Sequence, residues 1–188
     1  MLVKKMKEQA AQMDGQKVEI QGWVRTNRAS KKIGFIVIND GSCFTNVQVV
    51  YEQDLPTFEQ AGKITLGSAV EVKGTFVYTP NGKQSFEIHA DSIEVLGACD
   101  HDYPIQKKRH SFEYMREIPH IRPRANSYYA IFRLRSVLSM AIHTFFQDQG
   151  FVYVHTPIIT GNDAEGAGEC FTVTTRSDDK YDKDFFGK

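Results

Sequence analysis

Two periods divide this chain. Between Gln16 and Leu96 apolar residues recur at every second position in short runs, and between Ser127 and Gly150 they recur at every third or fourth. Alternation of period 2 predicts strands and a period near 3.6 predicts a helix. The first stretch, after a short helix at the start, gives five strands: Gln16–Thr26, Ile33–Ile38, Val47–Tyr51, Ala69–Thr79 and Ser85–Leu96. Asn39-Asp40-Gly41 closes the second, and Pro80-Asn81-Gly82 joins the last two as a hairpin. Pro56–Gly62 interrupts the series as a short helix or loop, and Trp23 breaks the alternation of the first strand. In the second stretch Ile131, Leu134, Leu138, Ala141, Ile142 and Phe145 share one helix face, with Ser127 as N-cap and Gly150 as the left-handed residue beyond the C-terminus. Phe151–His155 returns to period 2 and predicts a strand, ended by Pro157.

Five strands with glycines at positions 22 and 74, where sharp coiling is possible, fit a small closed barrel of the oligonucleotide-binding type. Closure removes exposed edges, although a β domain of other connectivity carries the same strand count. The apolar helix–strand unit after Ser127 exceeds what an isolated hairpin can cover and needs a sheet or a partner chain. Between the two, Gly97–Tyr103 is a polar linker, Lys107–Ile118 predicts a helix, and His120-Ile-Arg-Pro-Arg124 predicts a rigid connector. The expected domains are therefore 1–98, a hinge over 99–126, and 127–188.

Charge changes this picture more than composition does. The net charge is zero, yet Lys107, Lys108, Arg109, Arg116, Arg122, Arg124, Arg133 and Arg135 face only Glu113 and Glu117 across the middle of the chain. Residues 163–184 reverse the sign, and only the basic middle favours nucleic acid. Cys43, Cys99 and Cys170 lack ligand-like spacing, which predicts reduced thiols in a cytoplasmic protein. No apolar run has the length of a membrane span, and the start has no signal-peptide pattern.

Two sets of side chains carry candidate chemistry. Arg28 with Arg25, Lys31 and Lys32 surrounds the link between the first two strands, and Phe35 and Gln48 follow on strands two and three. Cations attract phosphate, a ring stacks on an unpaired base, and an amide reads a base edge. Phe35 could equally belong to the core, and the cations could be an ordinary solvated loop. The second set is Gly161, Asp163, Glu165, Gly166, Gly168 and Glu169, where crowded carboxylates on a turning backbone suit a cation such as a ligand ammonium. His101, His110, His120, His143 and His155 are dispersed, so no metal site and no paired nucleophile is expected.

The stretches KRHSFEYMREIPHIRPRANSYYAIFRLRS, FVYVHTPIIT and above all NDAEGAGECF resemble asparaginyl-tRNA synthetases, in the aspartyl/asparaginyl/lysyl group of class II ligases. The likeness extends over essentially all residues after about residue 12. Aspartyl enzymes have a different pattern where this chain reads Ala164-Glu-Gly-Ala-Gly-Glu-Cys-Phe171, and Cys170 stands where methionine is more usual. The resemblance implies an OB-fold anticodon-binding barrel followed by the start of an α/β class II catalytic domain built on an antiparallel sheet. It implies that Phe35 stacks on the central anticodon uridine with Arg28 and Gln48 as flanking readers, while Arg25, Lys31 and Lys32 lie along the backbone. It implies that Glu165 receives the α-ammonium of L-asparagine, and that the helix near 128–149 belongs to a homodimer interface. The reaction implied is ATP-dependent ligation of asparagine to tRNA(Asn) through an asparaginyl-adenylate, with ATP and Mg2+. The second and third signature motifs of the class are not among the 188 residues, so no catalytic residue and no metal ligand is expected in them. The alternative is a non-catalytic tRNA- or RNA-binding OB-fold module or paralogue.

Overall fold

The computed structural model describes residues 1–82, 84–161 and 173. By internal contacts the chain divides into two compact units, Met1–Arg135 and Ser136–Lys188.

The first unit is built on a closed five-stranded barrel. Its strands are β1 (Lys17–Ala29), β2 (Ile33–Asn39), β3 (Val47–Glu52), β4 (Ala69–Tyr78) and β5 (Phe86–Gly97), in the spatial order β1-β2-β3-β5-β4. All neighbours are antiparallel except β3 and β5, which run parallel through Gln48↔Glu87, Val49↔Ile88 and Val50↔His89. Closure leaves no edge strand, and the alternation read from the sequence is what fills the interior. Ile20, Ile36, Ile38, Val47, Val49, Val70, Val72, Phe76 and Ile88 point inward and are fully buried. The stacked rings of Phe76 and Phe86 lie 5.1 Å apart.

Two close approaches explain glycines in the strands. A Cβ on Gly74 would sit 2.9 Å from the carbonyl carbon of His89 and closer still to its oxygen, where β4 and β5 shift register. A Cβ on Gly34 would strike the ring of Tyr51, 2.5 Å from Cε1. That space lets Tyr51 fold across the barrel and donate its hydroxyl to Asn27 Oδ1 at 3.1 Å. Asn27 in turn donates to the carbonyls of Ala61 and Ile64 at 2.8 and 3.0 Å, tying helix α2 (Phe58–Gly62) to the barrel.

Helix α1 (Val3–Glu8) buries Val3 and Met6 in the barrel core. Its first amides find partners outside the helix: Val3 N donates to Asp40 Oδ2 at 2.8 Å and Lys4 N to Ser42 Oγ at 3.0 Å. These are orphan donors that no residue of α1 could satisfy.

Three sequence expectations change. Strand β1 runs on to Ala29, because Thr26 through Ala29 pair with β2 after a bulge at Arg25. The helix expected over 107–118 is confined to α3 (Phe112–Glu117), and its cap is Ser111, whose hydroxyl accepts from Tyr114 N at 3.2 Å. Lys107, Lys108 and Arg109 precede that cap as irregular chain. The segment 151–155 forms no strand, since it pairs with nothing among the described residues. The long helix α4 (Asn126–Asp148) and the positive φ of 85° at Gly150 follow the expected pattern, the helix starting one residue before the expected cap at Ser127.

In the first unit the start of α4 docks on the β2–β3 turn. Tyr129 donates its hydroxyl to Gly41 O at 2.7 Å, and Arg133 reaches Gly41 O and Ser42 O at 3.2 and 3.1 Å. Phe44 packs against Tyr129 with ring centroids 4.7 Å apart. In the second unit Val137, Leu138, Met140, Ile142 and Phe145 are exposed. There the chain after Gly150 is held by ring contacts, Phe146 with Phe151 and His143 with Tyr153.

Candidate nucleic-acid interface

The outer surface of β1, β2, β3 and β5 gathers residues that lie far apart in sequence. On β2, Gly34, Ile36 and Ile38 are buried while Ile33, Phe35 and Val37 face outward and are half-buried. Phe35 therefore lies on the outside of the barrel, which resolves the choice between surface and core. Arg28 is its cross-strand neighbour on β1 and Val50 its neighbour on β3. Val50 is 5% exposed yet is not part of the interior cluster. Half burial on the outer face leaves part of the Phe35 ring to solvent, where a base can stack.

Gln48 stands diagonally across from Phe35, two residues before Val50 and opposite Val37. Its amide donates to Glu87 Oε2 at 3.2 Å and accepts from Gln84 Nε2 at 3.1 Å. An ionised carboxylate can only accept, so Glu87 fixes which end of the Gln48 amide faces it. One N–H and one carbonyl lone pair remain on the amide. That is a donor and an acceptor side by side, as the edge of an unpaired pyrimidine requires.

Glu87 also holds His89, with Nε2 of the imidazole 3.0 Å from Oε1 of the carboxylate. Arg28, Phe35, Gln48, Glu87 and His89 therefore form one patch across four strands. Arg28, Phe35 and Gln48 were expected from the sequence; Gln84, Glu87 and His89 were not. Only the parallel pairing of β3 with β5 brings them there. The signal that could have found them is the period-2 alternation of β5, which puts Glu87 and His89 on the side opposite buried Phe86 and Ile88.

Lys31 and Lys32 are exposed in the β1–β2 turn, next to this patch in sequence. Arg25 is elsewhere. Its guanidinium donates to the Arg124 carbonyl and, at 2.9 Å, to Asn126 Oδ1. The bulge in β1 turns it toward the connector, where burial lowers its pKa without discharging a guanidinium. Arg25 lines an open cleft with Trp23, Lys107, Lys108, Arg109 and Arg124. The Arg124 guanidinium lies 4.7 Å above the Trp23 ring, which accounts for an outward tryptophan in β1.

Glu165, with the rest of the glycine-rich acidic loop after Gly161, lies outside the described residues. Among the described residues no group of histidine, cysteine and carboxylate side chains could hold a metal ion. Likewise, no described helix is long and apolar enough to cross a membrane.

Residues 18–96 match the family model for OB-fold nucleic acid binding domains, and residues 111–186 match that for tRNA synthetases class II (D, K and N). An asparagine–tRNA ligase of Desulfitobacterium hafniense is 57% identical over 183 residues, covering 92% of this chain and 40% of the relative. One from Alkaliphilus oremlandii is 53% identical over 197 residues, covering all of this chain and 42% of the relative. The chain thus spans about two fifths of the length of these curated relatives. Among solved structures, the asparaginyl-tRNA synthetase of Pyrococcus horikoshii complexed with asparaginyl-adenylate superposes with a TM-score of 0.76 at 28% identity. That match covers 87% of this chain and 38% of the other.

Proposed function

Because the chain belongs to the class II tRNA synthetase (D, K and N) family, we propose that it is the anticodon-reading part of an asparagine–tRNA ligase that also carries one loop of the amino-acid site. The observation that carries this reading is the outer-face patch. Arg28, Phe35 and Gln48 converge there although β1, β2 and β3 supply them separately. Phe35 offers a ring for the central anticodon base, Gln48 a donor and acceptor for its edge, and Arg28 a cation for the adjoining phosphate or base. Lys31 and Lys32 extend the positive field along the backbone, a sequence-independent contribution. Arg25 holds the connector to the barrel in this scheme.

Glu165 is assigned to the α-ammonium of L-asparagine on the strength of the family likeness. ATP with Mg2+ supplies the activation of the asparagine carboxylate in the complete ligase. No described residue of this chain is given a role toward them. The partners proposed are tRNA(Asn), L-asparagine and a second copy of the chain, in the cytoplasm. The exposed side chains of Val137, Leu138, Met140, Ile142 and Phe145 support burial of α4 against further protein, including the second copy. A monomeric complete ligase at micromolar concentration would count against that assembly.

The test replaces Arg28, Phe35 and Gln48 together by alanine in the complete ligase. The KM for tRNA(Asn) should rise at least tenfold while asparagine-dependent pyrophosphate exchange stays at the wild-type rate. An unchanged KM would overturn the assignment of this face.

A further inference from the structure

We propose that His89 is a positioning residue for base reading: it holds Glu87 beside Gln48. The inference rests on the anticodon-binding reading above.

Glu87 sits at the centre of the outer face, with its Oε1 taken by His89 Nε2 at 3.0 Å and its Oε2 by the Gln48 amide at 3.2 Å. The two bonds fix the carboxylate from opposite sides, so neither oxygen swings freely. Each oxygen still has a lone pair, and a carboxylate held this way accepts the N–H groups of a base edge.

His89 is half-exposed, its side chain 48% accessible against 23% for Glu87, so its removal should leave the barrel core intact. The other charged groups facing His89 are already paired. Across β4, Thr75 stands opposite His89, and Lys17 on β1 binds both Thr75 Oγ1 at 2.9 Å and Asp91 Oδ2 at 2.6 Å. On the β3 side the neighbour is Val50, which is apolar. Glu87 is thus the side chain in hydrogen-bond contact with His89, and the imidazole acts through it.

The measurement is the affinity of the chain for an asparagine anticodon stem-loop at fixed pH and salt. His89→Ala should weaken binding roughly 2- to 5-fold with an unchanged melting temperature, the size expected of an exposed pair. His89→Gln, which keeps an N–H donor for the carboxylate, should recover most of that loss. Glu87→Gln should lose a similar factor, and the double variant with His89→Ala should lose no more than either single one, because His89 acts through Glu87. Wild-type affinity in His89→Ala, or losses that multiply in the double variant, would overturn this proposal alone. Failure of the wild type to distinguish the anticodon would overturn the reading beneath it, and this proposal with it.

Discussion

Truncating Phe35 to alanine separates stability from recognition. The ring is half-buried on the outer face, opposite Val50 on β3, and stands outside the interior cluster. A buried ring in this barrel, such as Phe76 at 0% exposure, should cost about 3–5 kcal/mol on truncation to alanine. Phe35 should cost about 1 kcal/mol, because a half-buried outer ring loses far less burial than one in the interior. Its effect on RNA should run the other way. Stacking on one base is worth about 1–3 kcal/mol, so affinity for the anticodon stem-loop should drop roughly 5- to 150-fold. Phe76→Ala, measured where it remains folded, should leave affinity per folded molecule unchanged. The assay is urea denaturation of both variants alongside stem-loop titration by fluorescence anisotropy. If Phe35→Ala lost more than about 3 kcal/mol of stability and bound as tightly per folded molecule as wild type, the ring would be structural and the reasoning wrong.

Gly74→Ala should destabilise the barrel by about 1–3 kcal/mol in urea melts, because its Cβ meets the rigid His89 peptide group; a loss below about 0.5 kcal/mol would show that β4 and β5 can part there. Burial raises the pKa of Tyr51 above 10.0, so the unfolded chain ionises first and the Tyr51 contribution is intact below pH 10. Stability should then fall as pH rises through the folded value, and Tyr51→Phe should show a shallower alkaline loss; identical slopes would refute the cause. Glu165→Gln in the complete ligase should reduce asparagine activation by about 2–4 kcal/mol in pyrophosphate exchange, with stem-loop binding unchanged; near-normal activation would remove its assignment.

The strands of the barrel were legible because alternation is a local property repeated five times. Each strand announces its inner face at every second residue, and turns such as Asn39-Asp40-Gly41 mark where it ends. What the sequence did not show depends on pairing between distant strands. Arg25 reads like a companion of Arg28, only three residues away, yet the bulge sends it to Arg124 and Asn126. Glu87 and His89 look like ordinary outward residues until the parallel β3–β5 ladder sets them beside Gln48 and Val50. Phe151–His155 alternates as a strand should, but a strand is defined by its partner, and none pairs with it among the described residues. Lys107–Arg109 continued the helical composition of the following turn, and Ser111 instead took the cap position.

The most direct measurement compares binding of this chain to two stem-loops that differ only at the central anticodon base. With uridine there, Phe35 stacks and Gln48 meets a donor–acceptor edge that matches its own. With 3-methyluridine, stacking survives while the N–H that the Gln48 carbonyl would accept is gone, at a cost of about 1–3 kcal/mol. The account predicts at least a fivefold preference for uridine in wild type, largely abolished in Gln48→Ala. Equal affinity for the two stem-loops in the wild-type chain would contradict it.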